Sequence, residues 1–219
     1  MEILFFILAI TGTAVTAFIV YSGIRMYGVV SLPMKYLTIY FSIDLMSSIG
    51  SMVLGKLGIN NMVIMNMQIP VEYGFFVVAL SFWVGSRGVQ RVLRFSIIAY
   101  LVCWLILFLT LESFFKFSSI ARPLLTVLVL IAAVVTLVYL LRDTSYPLLL
   151  QPAFWICSGL IIYNAGNATF FLITQYLFHI SENTLVTAWV LHNIIGVFSY
   201  VLFAGGFICQ RMRLNSGGR

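Results

Sequence analysis

Charged residues are scarce in this sequence. Only 8% of its 219 residues are Asp, Glu, Lys or Arg, whereas 62% are hydrophobic. Soluble domains carry about 25% charged residues, and a soluble fold of this size could not bury so much apolar surface. We therefore expect lipid to be the solvent for most of the chain and predict an all-α, multi-pass membrane protein.

Cysteine and histidine are also rare. Cys103, Cys157 and Cys209 lie within or at the end of apolar runs and form no C-x-x-C pair, which argues against disulfides and structural zinc. The two histidines are His179, in a predicted outer loop, and His192. They form no H-x-x-x-H or H-E-x-x-H motif, which argues against an intramembrane zinc hydrolase, and their placement argues against bis-histidine haem.

Lysine is absent from the centre of every apolar run. Lys35, Lys56 and Lys116 are all at the ends of runs. A retinal Schiff base requires a lysine amine inside the helix bundle, so rhodopsin chemistry in its usual form is excluded. We predict that the protein uses no cofactor.

Seven apolar runs approach the length of about 20 residues that a membrane-spanning helix needs. The first begins at Ile3 with no basic residue before it, so we expect a permanent helix rather than a cleaved signal peptide. Residues 1–214 are predicted to form one seven-helix domain, and residues 215–219 a flexible tail or an artificial addition. The predicted spans are Ile3–Ser22, Tyr36–Leu54, Met62–Gly85, Phe95–Phe115, Pro123–Leu141, Ala153–Phe178 and Leu185–Cys209.

The distribution of basic residues predicts the orientation. With the N-terminus outside and the C-terminus in the cytoplasm, nine basic residues are cytoplasmic and three are outside, as the positive-inside rule requires. Basic residues spread between apolar runs do not indicate a nucleic-acid partner. The cytoplasmic set is Arg25, Lys35, Arg87, Arg91, Arg94, Arg142, Arg211, Arg213 and Arg219, and the outer set is Lys56, Lys116 and Arg122.

Acidic residues inside the spans are the first candidates for function, since a charge at the bilayer centre costs about 2.5–3.5 kcal/mol on insertion scales. Asp44 lies near the middle of the second span. Ser47, Ser48 and Ser51 follow it on the same helical face. The plain alternative is close helix packing by small residues, with Asp44 held by a serine or by the backbone.

The third span carries the second interior acid, Glu72. Gln68 lies one turn before it on the same face, and Pro70 between them is expected to kink the helix. We expect no lysine or arginine to lie deep enough to pair with Glu72. His192 is then the natural partner of Glu72 or of Asp44. Glu72 is predicted to be the centre of an interior polar network and to be protonated or hydrogen-bonded.

The sixth and seventh spans carry polar and aromatic stripes, which are predicted to face the bundle. Interhelical hydrogen bonding alone is the simpler explanation for them. Together with the two acids these stripes place most polar residues in the outer half of the membrane, where seven-helix receptors hold ligands. The candidate ligand-binding residues are Asp44, Asn66, Gln68, Glu72, Tyr163, Asn164, Asn167, Trp189, His192 and Asn193.

Three of the spans resemble those of a group of uncharacterised bacterial seven-helix membrane proteins, some of which are related to membrane sensor regions of histidine kinases. The resemblance implies a multi-pass seven-helix bundle in the bacterial cytoplasmic (inner) membrane and a signalling role, and it supplies no ligand. The 219 residues contain no kinase region, so a signal would pass to a separate partner. The motifs are Asn66 and Glu72 in the third span, Phe154-Trp155-Ile156, Gly159, Ile162-Tyr163 and Gly166-Asn167 in the sixth, and Trp189–Ile194 and Leu202-Phe203 in the seventh.

These observations predict a receptor-like or sensory bundle that binds a small or lipidic ligand in an outer polar chamber. Its partners would be membrane lipids and a cytoplasmic or membrane signalling protein, with a homo-oligomer left open. The alternatives are a lipid-modifying enzyme that uses Asp44, Glu72 and His192, and a proton- or solute-coupled transporter. A subunit whose polar residues only join helices is a further alternative.

Overall fold

The computed structural model describes residues 2–142, 147–177 and 182–217, and within these ranges the chain is all-α. The third helix begins at Met62, as predicted, and the last continues to Gly217, beyond the expected boundary at Leu214. His179 and Arg219 lie outside the described residues. The helices are α1 (Glu2–Arg25), α2 (Leu32–Lys56), α3 (Met62–Ser81), α4 (Arg87–Thr110), α5 (Ala121–Arg142), α6 (Pro152–Leu177) and α7 (Glu182–Gly217), with a 3₁₀ turn at Leu148–Leu150.

Six of the helices, all except α6, are long and apolar enough to cross a membrane. Helix α6 is 26 residues long and contains no charged residue. Large apolar side chains remain exposed on the bundle surface, such as Phe95 (70%) and Leu109 (72%) on α4, as expected of a surface that contacts lipid. The chain is therefore a helical multi-span membrane protein, which confirms the predicted fold class at this level.

Six helices form a closed ring in the order α1, α2, α3, α5, α6, α7. Helix α4 lies outside this ring and packs mainly on α3. Helices that are sequential in the chain pack against each other, except that α5 packs on α3 and hardly touches α4. The interior of the ring is therefore enclosed without α4.

The α6–α7 contact shows how closely the ring helices approach each other. A β-carbon on Gly159 would lie 2.5 Å from Cε1 of Phe203 and 3.1 Å from the backbone oxygen of Ser199. Small residues allow such an approach between membrane helices. The seam is antiparallel, because Gly206 near the end of α7 meets Ile156 near the start of α6.

The two ends of the bundle differ in packing. We call the end that carries the N-terminus and residues 57–61 and 111–120 the N-terminal end, and the opposite one the C-terminal end. Between them Phe41, Phe76, Phe203 and Phe207 form an aromatic layer, in which Phe41 lies 5.4 Å from Phe203 and 6.2 Å from Phe207 between ring centroids. Phe41 and Phe207 are fully buried, so this layer closes the interior toward the C-terminal end.

Residues 111–120, which join α4 to α5, fold back into the bundle. The amide of Asn66 donates to the backbone oxygens of Phe114 (3.0 Å) and Lys116 (2.8 Å). The hydroxyl of Tyr100 donates to the backbone oxygen of Ala121 at 2.8 Å. Tyr100 lies ten residues before the end of α4 at Thr110, a rise of about 15 Å along the helix. Helix α5 therefore begins well inside the bundle.

Candidate ligand-binding chamber

A cavity of about 210 Å³, which we call the chamber, lies between α2, α3, α5, α6 and α7. The aromatic layer bounds it on one side through Phe41, Phe76 and Phe203. Three of the ring helices contribute side chains that were predicted for ligand binding, namely Asp44, Gln68, Glu72 and Tyr163. The full polar lining is Tyr40, Asp44, Ser47, Ser48, Ser51, Gln68, Glu72, Arg122, Tyr163 and Tyr200.

Glu72 is paired with a cation in the chamber. Nη1 of Arg122 lies 2.7 Å from Oε2 of Glu72, and both side chains are largely buried, with 13% and 7% of their surfaces exposed. The guanidinium also lies over the ring of Phe171, 5.7 Å from its centroid. The expectation that no arginine reaches Glu72 is therefore wrong.

Arg122 reaches Glu72 because α5 starts inside the bundle. Arg122 is the second residue of α5, and Glu112 from the preceding segment caps the helix start, accepting hydrogen bonds from the backbone nitrogens of Ile120 (2.6 Å) and Ala121 (3.4 Å). Ser118 donates to the same carboxylate and accepts from the backbone nitrogen of Arg122 at 3.1 Å. These bonds satisfy free donors of the first helical turn and fix the position from which Arg122 extends to Glu72.

Asp44 is held by neutral groups only. Nε2 of Gln68 donates to its Oδ1 at 2.6 Å, and the hydroxyl of Tyr200 donates to its Oδ2 at 2.8 Å. Within the described residues, no lysine, arginine or histidine forms an ion pair with Asp44. His192 bonds to Asn167, with Nδ1 and Oδ1 2.8 Å apart. The predicted pairing of His192 with Asp44 or Glu72 is therefore wrong, because among the described residues each of the three has another partner.

The chamber hydroxyls differ from many of the helical hydroxyls elsewhere in the protein, although Ser199 on α7, which is fully buried and lines neither cavity, also lacks a hydrogen-bond partner. Outside the chamber, Thr38 and Ser42 on α2 each donate to the carbonyl four residues earlier, at 2.8 Å, and Thr16, Thr126 and Thr136 do the same. In the part of the chain that the structure describes, five chamber hydroxyls have no hydrogen-bond partner. They belong to Tyr40, Ser47, Ser48, Ser51 and Tyr163. They are free to bond with something in the chamber.

A second cavity of about 430 Å³, which we call the side cavity, lies beside the chamber against α1. The two cavities share the side chains of Ser48, Ser51, Tyr163 and Tyr200. His192 and Asn193 line the side cavity, as do Thr13 and Thr16 of α1. The predicted site residues that line a cavity are therefore divided between two adjoining ones. Asp44, Gln68 and Glu72 line the chamber, His192 and Asn193 line the side cavity, and Tyr163 lines both.

The imidazole of His192 is packed among aromatic rings. It stacks on Phe170 at 5.0 Å and 22°, and lies at nearly a right angle to Trp189, 5.4 Å between centroids. Trp189 belongs to this aromatic cluster and does not line either cavity. With its hydrogen bond to the fully buried Asn167, this packing fixes His192 at the α6–α7 contact.

The remaining predicted residues bond mainly to the backbone. Asn66 holds the 111–120 segment, as described above. Asn164 donates to the backbone oxygen of Leu160, and Asn193 to that of Trp189, each at 2.8 Å. Asn66, Asn164 and Asn167 line neither cavity. These bonds are typical of helix packing. They give no reason to assign a ligand to Asn66, Asn164 or Asn167.

Sequence reasoning did not select Arg122 or Tyr200. Arg122 was placed in an outer loop because it lies at the edge of an apolar run. The proline that follows it, Pro123, favours the first turn of a helix and was a usable signal. Tyr200 lies two turns after His192 on the same face of α7, so the stripe on that helix already contained it.

The chamber is suited to holding a small polar molecule. It combines two carboxylates, one guanidinium and five free hydroxyls with an aromatic boundary. Among the described residues, no three His, Cys, Asp or Glu side chains come together as a metal site. His192, the histidine that the structure describes, bonds to an amide rather than to a carboxylate or a hydroxyl. No nucleophile paired with a histidine base is present in that part of the chain.

No protein-family model matches the chain, and no curated protein or solved structure shows significant similarity to it. The resemblance to bacterial seven-helix sensor regions is not tested by these comparisons and stays a prediction.

Proposed function

We propose that the protein is a receptor-like seven-helix membrane protein that binds a small ligand in the chamber and signals to a separate partner. The observation that carries this proposal is the set of five free hydroxyls, on Tyr40, Ser47, Ser48, Ser51 and Tyr163, facing a cavity that also holds two carboxylates. None of the five is sealed away as a fully buried unpaired atom, so each is open to the cavity. Hydroxyls that are open to a cavity and have no partner in the protein can bond to a polar occupant.

The size of the chamber favours a small ligand over a lipid chain. Pockets for drug-sized ligands measure about 300–1,000 Å³, and the chamber measures about 210 Å³. The adjoining side cavity, which shares Tyr163 and Tyr200 with the chamber, would give a ligand access from the α1 side. We therefore propose the small-molecule form of the receptor function.

The alternatives require features that the described residues do not supply. A lipid-modifying enzyme would need Asp44, Glu72 and His192 within reach of one another, yet each is bonded to a different partner. A transporter would need a polar path to the C-terminal end, where the aromatic layer closes the interior. A receptor needs only one accessible side and a helix arrangement that its ligand biases.

We further propose that the N-terminus is outside, that the C-terminus is in the cytoplasm, and that the membrane is the bacterial cytoplasmic membrane. With Arg122 inside the chamber, only Lys56 and Lys116 remain on the proposed outer side, against nine basic residues on the inner side. Exposed Arg87 and Arg91 would lie on the inner rim, where a signalling partner would bind.

Thiol labelling tests the orientation. In a variant without the native cysteines, a cysteine replacing exposed Ile59 should react with an impermeant reagent added outside intact cells, and one replacing Arg87 should react only after permeabilisation. Ile59 is preferred to Gly58, whose positive φ of 69° would strain a cysteine. Labelling of both positions from the same side would overturn the orientation.

Ligand binding is tested by blocking the chamber. We expect the melting temperature of the purified protein to rise with at least one class of small solute among organic cations, anions and neutral polar molecules. Ser48→Phe should abolish the rise by filling the chamber. Met46→Phe, on the exposed face of the same helix (75% exposed), should leave the rise intact.

A fluorophore on a cysteine at position 87 then tests signalling, because a receptor's ligand must change the environment at the opposite end of the bundle. The proposal fails if no solute class stabilises the protein, or if Ser48→Phe responds like the parent. A bound solute that leaves the fluorophore unchanged but accumulates in proteoliposomes would replace the receptor proposal with a transporter.

A further inference from the structure

We infer that the chamber selects a small organic cation of the ammonium type, with Asp44 as its counter-ion. This inference rests on the proposed ligand-binding function and names the chemical class of the ligand. It depends on the charges, the free hydroxyls and the aromatic walls of the chamber, which are independent observations.

The charges of the chamber do not balance. Its lining contains two carboxylates, Asp44 and Glu72, and one guanidinium, Arg122. Arg122 is committed to Glu72 by a contact of 2.7 Å. The partners of Asp44, Gln68 and Tyr200, are neutral. A buried acid without a cation is favoured in its protonated form, and a monovalent cation beside Asp44 would stabilise the charged carboxylate and balance the chamber.

The free hydroxyls lie where an ammonium group needs acceptors. Ser47, Ser48 and Ser51 are one to two turns beyond Asp44 on α2 and line the same cavity. Their hydroxyl oxygens have no donor from the described residues. An ammonium N–H could donate to Asp44 and to these oxygens at once, whereas an anion would face the carboxylate of Asp44 with no free cation to hold it.

The walls favour an organic cation over an inorganic one. Aromatic rings line the chamber around Asp44, and the ring centroid of Tyr200, which bonds to Asp44, lies 6.1 Å from that of Phe41 and 5.9 Å from that of Phe203. Rings attract ammonium groups through cation–π interactions and shield their apolar substituents from water. The aromatic lining is Tyr40, Phe41, Phe76, Tyr163, Tyr200 and Phe203.

The test measures choline binding to the full chain by isothermal titration calorimetry, in a maltoside detergent that carries no ammonium group. We expect saturable binding to the parent protein. Asp44→Asn should weaken it by about tenfold to a hundredfold, because the charge-assisted contact is lost. Ser42→Ala removes a hydroxyl of the same helix outside the chamber and should bind choline like the parent.

A second variant keeps the inference testable if Asp44→Asn does not fold. Phe41→Leu keeps an apolar side chain but removes one ring of the wall, and should weaken choline binding by about threefold to tenfold. Unchanged choline affinity in a folded Asp44→Asn or in Phe41→Leu would overturn the inference.

The uncharged analogue of choline, with carbon in place of nitrogen, separates charge from shape. It should bind at least about tenfold more weakly than choline, as should sodium ions at equal ionic strength. Equal or tighter binding of the neutral analogue, of sodium or of an anion would refute the cation inference and leave the proposed receptor intact. No binding by any class would defeat both.

A lipid headgroup and a free amine share this chemistry. Adding phosphatidylethanolamine to phosphatidylglycerol nanodiscs distinguishes them. Displacement of choline by this lipid would assign the ammonium to a headgroup, and retention of choline would assign it to a free solute. Either result, with dependence on Asp44, supports the inference.

Discussion

The two carboxylates of the chamber have different kinds of partner. Glu72 meets the guanidinium of Arg122 at 2.7 Å. Asp44 accepts hydrogen bonds from Gln68 and Tyr200, which are neutral. A carboxylate that is paired with a cation needs no further partner, whereas one with neutral donors is held in place but not neutralised. We therefore treat the Glu72–Arg122 pair as the framework of the chamber and Asp44 as its open site.

The largest expected effect comes from removing the cation that is paired with Glu72. Arg122→Leu leaves Glu72 buried without its partner and should lower the free energy of unfolding by about 3–5 kcal/mol. The double variant Arg122→Leu, Glu72→Leu removes both charges and should recover most of this loss. Unfolding in mixed detergent and SDS micelles measures both. A double variant no more stable than Arg122→Leu would show that the pair does not behave as one unit.

An intermediate effect is expected from Glu72→Gln. The glutamine keeps an oxygen that Arg122 can donate to, but the guanidinium loses its counter-charge, so we expect the free energy of unfolding to fall by about 1.5–3 kcal/mol. The protein should still fold, and helix content by circular dichroism should match the parent. A stability equal to that of the parent would mean that the charge of Glu72 contributes nothing to the contact.

The smallest effect is expected at the open site. Asp44→Asn keeps an oxygen to accept from Gln68 and gains an amide that can donate to the hydroxyl of Tyr200. The change in unfolding free energy should therefore stay within about 1 kcal/mol. The same unfolding assay, run beside Glu72→Gln, tests the comparison directly. If Asp44→Asn costs more than Glu72→Gln, the assignment of framework and open site is reversed.

The helix number and four of the ten polar residues that line the chamber could be predicted from the sequence, because both follow from local patterns. Apolar length fixed seven helices, and α3 begins at the predicted Met62. A polar residue inside an apolar helix must face the bundle, which is why Asp44, Gln68, Glu72 and Tyr163 were correctly expected to face the interior together.

The pairing of side chains could not be predicted, because it depends on how helices are displaced along their axes. Arg122 lies at the edge of its apolar run, and only the inward fold of residues 111–120 brings it to Glu72. His192 and Asp44 lie on helices that pack around the same interior. At the α6–α7 contact, however, His192 forms its hydrogen bond with Asn167. Asn66 is polar and buried, as expected, but its amide donates a hydrogen bond to the backbone of the 111–120 segment.

The position of Arg122 also bears on how the protein is made. Because α3 precedes α5 in the chain, the ribosome releases Glu72 before it releases Arg122. When α5 follows, Arg122, only two residues into the helix, can extend its long side chain to the lipid phosphates, as basic residues near helix ends do. It exchanges phosphate for Glu72 only when α5 docks on α3. The polar interior is then completed late in biogenesis, by a docking step between helices that are not neighbours in the chain, and cells that insert all the helices could still accumulate an undocked, protease-sensitive form.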